Sequence, residues 1–149
     1  MPIITICSSA SFYEQVIYVQ TELITLGFEV LIPKIARVMQ QSGDYDVMHY
    51  KTWFDDTRDY HKKTALIREN FGAIERADIV LVCNYEKQGE ENYIGGNVLM
   101  EMTIAFYLNK PIYLLNDTPR NSSFLEEIIA VGAKPLFGNV NSLSQQLLR

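Results

Sequence analysis

Five short apolar runs set the tightest limit on how this chain folds: Ile3–Cys7, Glu29–Ile32, Ile79–Cys83, Ile112–Leu115 and Lys134–Phe137. They are rich in β-branched residues, and their apolarity is continuous rather than alternating. Strands of that kind are covered on both faces, as in a parallel sheet. Pro33 follows the second run, Pro111 opens the fourth, and Pro135 marks the fifth as an edge strand.

Helical periods separate the runs. Ser11 and Glu14 have the spacing of a capping box, and Val16, Val19, Leu23 and Leu26 then recur at helical intervals before Gly27, which suits a left-handed exit. The pattern predicts a second helix over Lys63–Arg76 that buries Leu66, Ile67, Phe71 and Ile74. A third runs from Asn97 to Asn109 and packs Val98, Met102, Ala105 and Phe106. Two more are expected over Ser122–Val131 and Ser142–Leu148. Strand–helix alternation with short connections describes one α/β domain spanning residues 1–149. The expected form is a doubly wound, Rossmann-like or flavodoxin-like fold: a five-stranded, mostly parallel sheet in the order 2-1-3-4-5 with helices on both faces.

The segment Pro33–Lys62 has no clean period and carries Tyr45, His49, Tyr50, Trp53, Phe54, Tyr60 and His61. It reads either as an irregular cover for the flank or as a lid whose aromatics stack on a flat ligand.

Composition removes several classes of function. With 18 Asp+Glu against 13 Lys+Arg, the net charge is −5, which argues against binding a nucleic-acid polymer or an anionic membrane. No apolar run approaches the roughly 20 residues of a membrane span. Met1-Pro2-Ile3-Ile4-Thr5-Ile6-Cys7 lacks a basic start and a long apolar stretch, so a first strand is expected there rather than a signal peptide. Cys7 and Cys83 make no disulfide framework, and cytoplasmic residence follows as the default expectation. No Cys or His spacing suits a metal. His49 and His61 lack a fixed partner that would make either a general base, and Lys62-Lys63 reads as a solvated helix face.

In open α/β sheets ligands bind beyond the carboxyl ends of the strands, where the strand order reverses. That places two loops at the site. Ser8-Ser9-Ala10-Ser11 leads into a helix start, where amides and hydroxyls favour an anion, although the serines also read simply as caps. It contains no G-x-G-x-x-G and no Walker lysine. The loop from Asn84 to Gly96 is polar and ends in Gly95-Gly96, which allow close approach to a ligand or positive φ, then Asn97 as a candidate N-cap. Asn84, Gly95, Gly96 and Asn97 join Ser8–Ser11 as candidate binding residues. Glu101 interrupts the apolar stretch Val98–Ala105, so its carboxylate points either into the cleft or into structural hydrogen bonds. An ionised carboxylate in the cleft could attack an electron-poor sugar carbon.

Three stretches carry a resemblance: Ala77-Asp78-Ile79-Val80-Leu81-Val82, then Tyr93-Ile94-Gly95-Gly96-Asn97-Val98-Leu99-Met100-Glu101-Met102, then Ala105–Leu115 with Asn109-Lys110-Pro111-Ile112. They resemble the nucleoside 2-deoxyribosyltransferase-like superfamily, which includes 2-deoxyribosyltransferases and 2′-deoxynucleoside 5′-phosphate N-hydrolases. The resemblance implies a Rossmann-like sheet, a homo-oligomer whose subunits complete each other's sites, and a nucleoside or nucleotide ligand. It implies that Glu101 is a nucleophile towards C1′, that the Ser8–Ser11 loop holds a 5′-phosphate, and that no metal or organic cofactor is needed. The hydrolase branch carries an aspartate eight positions before the Ala-Asp aspartate; here Asn70 stands there, an amide that cannot supply an acid. Ser8 stands where that branch's phosphate loop has glycine. Three functions are thus open at this point: an enzyme of the N-glycosidic bond, a non-catalytic nucleotide sensor on the same scaffold, and a flavin or redox carrier.

Overall fold

The computed structural model describes residues 1–147. Five strands, β1 (Ile3–Ser8), β2 (Glu29–Leu31), β3 (Ile79–Cys83), β4 (Ile112–Leu114) and β5 (Lys134–Pro135), form one sheet in the order 2-1-3-4-5. Every pairing is parallel, so the sheet is wholly rather than mostly parallel. In the centre Ile4 faces Ile79 and Ser8 faces Cys83, while β5 touches β4 through Tyr113–Lys134 and Leu114–Pro135 alone. Pro135 fits that place because an edge strand leaves one side of its backbone unpaired.

The alternation of a strand sorts the buried side chains onto two faces. Ile4, Ile6, Leu81 and Cys83 pack with α1 (Tyr13–Thr25), α2 (Lys34–Ser42) and α6 (Asn141–Leu147), through Val16, Leu23, Met39 and Leu143. Cys7, Val80, Val82 and Leu114 pack with α3 (Tyr60–Arg76), α4 (Gly96–Tyr107) and α5 (Leu125–Ala130), through Ile74, Val98, Met102 and Ile128. All five residues of β3 are buried, which is why that run reads as continuously apolar. Burying each such aliphatic side chain contributes about 1.5–3 kcal/mol. Cys7 and Cys83 belong to opposite faces, so the two thiols are kept apart by the sheet itself.

Several local expectations are corrected. The chain after β1 makes a 3-10 turn over Ala10–Phe12 before α1, and Ser11 sits exposed inside it with no capping bond; the capping box does not form. Gly27 does take the left-handed exit, at φ +96°. Segment 33–62 is not irregular. It contains α2, three 3-10 turns (Val47–His49, Thr52–Phe54, Thr57–Asp59) and the first turn of α3, which begins at Tyr60 rather than Lys63. The many short turns are the reason no single period shows. Gly95, not Asn97, stands at the N-cap of α4, and Phe106 is 55% exposed rather than packed. The fourth and fifth expected helices begin three residues later, at Leu125, and one earlier, at Asn141; Leu148, the expected end of the latter, lies outside the described residues. Among the described residues no helix is long and apolar enough to cross a membrane.

Candidate functional site

A cleft opens beyond the carboxyl ends of β1 and β3, between the β1–α1 loop, segment 33–62, α3 and the start of α4. About 140 Å³ of it is open to the centre of a water molecule. At one water per roughly 10–15 Å³ of such space, that is on the order of ten waters, enough room for a nucleoside.

Glu101 forms its floor. The buried stripe of α4 runs Val98, Glu101, Met102, Ala105, the i, i+3, i+4, i+7 face of a helix. The glutamate therefore enters the domain with its apolar neighbours and is only 6% exposed. Asn70 on α3 donates from Nδ2 to Glu101 Oε1 at 3.3 Å, and the Cys7 thiol at the end of β1 lies against the same carboxyl group. Burial raises the Glu101 pKa to about 7; the contacts with Cys7 and Asn70 and the charge of Lys63 hold it from going higher. Burial, reinforced by the neighbouring Glu101 charge, pushes the Cys7 thiol up, so it stays a neutral donor.

The proposed binding residues divide. Ser8, Ser9, Ala10, Gly95, Gly96 and Asn97 line the cleft with Asn70 and Glu101. Ser8 is already committed, because its hydroxyl donates to the Cys83 carbonyl at 2.8 Å and staples β1 to β3. A hydroxyl has one proton to give, so Ser8 does not donate to a ligand. Ser9 Oγ faces Lys87 Nζ at 3.4 Å, and the 3-10 turn leaves the amides of Ala10 and Ser11 without a carbonyl of their own. The Ser11 side chain itself is exposed and outside the cleft.

Asn84 is also outside it. Fully buried, its Nδ2 donates to the carbonyls of Asn92 (3.3 Å) and Asp117 (2.9 Å), and its Oδ1 accepts from the Asn116 amide (3.0 Å). It ties the loops after β3 and β4 together and is a structural residue. Neither glycine has positive φ. Tyr93 packs on Gly95: an added Cβ would lie 2.8 Å from the Tyr93 hydroxyl, and the tyrosine would have to shift to admit one. Gly96 has open space around it.

Four lysines, none of them foreseen, complete the cleft: Lys34, Lys51, Lys63 and Lys87. Lys63 is half-buried rather than solvated, with Nζ 5.5 Å from the Trp53 ring. Lys51 Nζ sits 5.7 Å from the Phe54 ring, and Lys87 Nζ 4.8 Å from Tyr93. Lys87 reaches the site because residues 87–90 form a small hairpin, closed by paired backbone bonds between Lys87 and Glu90 with Gln88 and Gly89 both at positive φ. Trp53 and Tyr50 also line the cleft, so part of the aromatic segment does face it. Tyr50 is pinned there by its hydroxyl, which donates to the Asp44 carbonyl at 2.7 Å.

No protein-family model matches the chain, and no curated protein matches it.

The histidines stand aside. His49 pairs with Asp44 at 2.6 Å and Asp46 at 3.4 Å on the surface, and His61 Nδ1 meets the Arg58 carbonyl at 2.8 Å. Neither lines the cleft. Among the described residues no group of three or more His, Cys, Asp and Glu side chains is placed to hold a metal.

Proposed function

We propose that this protein cleaves or transfers at the N-glycosidic bond of a (deoxy)nucleoside or nucleotide, with Glu101 as nucleophile. The observation that carries this reading is a single buried carboxylate on the floor of an open, aromatic-walled cleft, held by an amide donor, a thiol and a lysine charge. A Glu101 oxygen attacks C1′ as the C1′–N bond breaks, and its electron pair leaves with the base, which takes a proton from water. Water then attacks C1′, the carboxylate is released, and the water's proton passes to solvent. A second base in place of water gives transfer. Tyr50 offers a face for the departing base, and Asn70 is a positioning residue that steadies the ionised nucleophile. The sequence resemblance around Gly95–Glu101 points the same way.

The homo-oligomer implied by that resemblance has a fitting surface. Met100 and Tyr107, a heptad apart on α4, are 43% and 81% exposed, and Met100 also lines the cleft. A second copy covering α4 would reach the mouth of the site.

One observation favours a second reading, a nucleotide-binding domain without turnover. Glu101 is the sole carboxyl group lining the cleft among the described residues, so no second carboxylic acid serves the leaving base. The two separate in one experiment. Purified protein is incubated with deoxynucleosides and their 5′-monophosphates, and free base is followed by chromatography. Base release is expected, slowed by at least about a thousandfold in Glu101→Gln. Ligands that raise the melting temperature while no base appears would establish the binding domain instead.

A further inference from the structure

The lysines bear on the ligand's charge. In a chain of net charge −5, the cleft gathers four lysines against one carboxylate. Lys62, outside the cleft, pairs with Asp59 at 3.4 Å. Lys34, Lys51, Lys63 and Lys87 have no carboxylate within 4.0 Å among the described residues. Three of them are instead backed by aromatic rings, Lys51 by Phe54, Lys63 by Trp53 and Lys87 by Tyr93. A ring face holds an ammonium without neutralising it, so these charges stay available to an anion.

Lys51, Lys63 and Lys87 line the same cleft as Glu101 and Ser9, and Lys87 Nζ reaches Ser9 Oγ at 3.4 Å. Burial, reinforced by repulsion from the neighbouring lysines, draws protons off Lys51 and Lys63 more easily than usual. Three like charges gathered in one cleft, which holds both the nucleophile and the serine loop, form a basic strip at a cost to the empty protein. A monophosphate brings about two negative charges and one cluster of oxygens, too few to meet the whole strip. Each further phosphoryl group adds about one charge and extends the anion along it.

We propose that the preferred ligand of this cleft is a nucleoside 5′-di- or triphosphate, its phosphate chain lying along Lys51 and Lys87 and the amides after Ser9. The proposal rests on the glycosidic reading for the nucleoside half of the ligand, but its test does not require turnover.

Calorimetric titration of the wild-type protein with deoxyadenosine, its 5′-mono-, di- and triphosphate, and inorganic tripolyphosphate reads the phosphate count directly. Deoxyguanosine and thymidine series guard against a wrong base. The diphosphate is expected to bind at least tenfold more tightly than the monophosphate, and Lys51→Gln and Lys87→Gln each to remove most of that advantage while leaving nucleoside binding within twofold. The advantage should also shrink as salt rises from 50 to 500 mM. A diphosphate that binds no more tightly than the monophosphate in any series overturns the proposal, even if base is released. Tight di- or triphosphate binding with no base released from any nucleotide leaves the proposal standing and defeats the glycosidic reading.

Discussion

Glu101→Gln is expected to make the protein more stable at pH 8, not less. The carboxyl group titrates near pH 7 in the folded chain against an ordinary value of 4.5. The folded state therefore binds this proton more tightly than the unfolded state does. Its contribution to stability is fully present below about pH 4.5 and is lost as pH rises through about 7. At 1.36 kcal/mol per pKa unit, the ionised, buried carboxylate costs the fold roughly 3 kcal/mol above that range. Glutamine keeps the shape, accepts the Asn70 bond through its oxygen, and carries no charge. Urea unfolding should then place the variant about 3 kcal/mol above wild type at pH 8, or roughly 8 °C in melting temperature for a chain of this size. At pH 5 the gap should shrink to about 1 kcal/mol, and it should close below about pH 4. The surface pairs Asp44–His49 and Asp56–Arg58 titrate alike in both proteins and cancel in the comparison. A variant no more stable than wild type at pH 8 would show that the carboxylate is well solvated and not buried as described.

The same group dictates how base release responds to pH. If the ionised form is the nucleophile, the rate should rise tenfold per unit up to about pH 7 and level off above it. Asn70→Ala removes the amide that favours the ionised form. A hydrogen bond to a charged group is worth about 1.5–3 kcal/mol; at the long distance of 3.3 Å the lower end applies, so the acid limb should move up by about one pH unit. Lys63→Gln should move it in the same direction, because the Lys63 charge also favours ionisation. A purely structural Asn70 would lower the rate at every pH and leave the limb in place. The pH–rate profile of base release for the three proteins decides between these outcomes.

Much of the architecture was legible because one physical signal carried it. Runs such as Ile79–Cys83, short, β-branched and apolar at every position, suit a strand covered on both faces, and their alternation with helical periods pointed to the doubly wound form and its strand order. Glu101 stood out for a related reason: a charge inside an apolar helix stripe has to be accommodated somewhere. Asn84 was misassigned because a polar residue in a loop has the same appearance whether it faces a ligand or ties two loops together, and its three partners lie up to 33 residues away. Ser11 and Asn97 suited capping by type, yet the backbone closed through a 3-10 turn and through Gly95 instead. The lysines were hidden more deeply. They come from α2, a 3-10 segment, α3 and a hairpin tip, and each alone resembles an ordinary solvated charge. The one signal present was the aromatic content of segment 33–62, which supplies Trp53 and Phe54 as their supports.

The most direct test of a glutamate nucleophile is the stereochemistry of the product when methanol replaces water as acceptor. Attack by Glu101 followed by attack of methanol inverts C1′ twice, so a β-nucleotide should give the β-methyl glycoside, identified by proton NMR before any rearrangement. The α-methyl glycoside would mean a single direct displacement and would contradict a covalent role for Glu101.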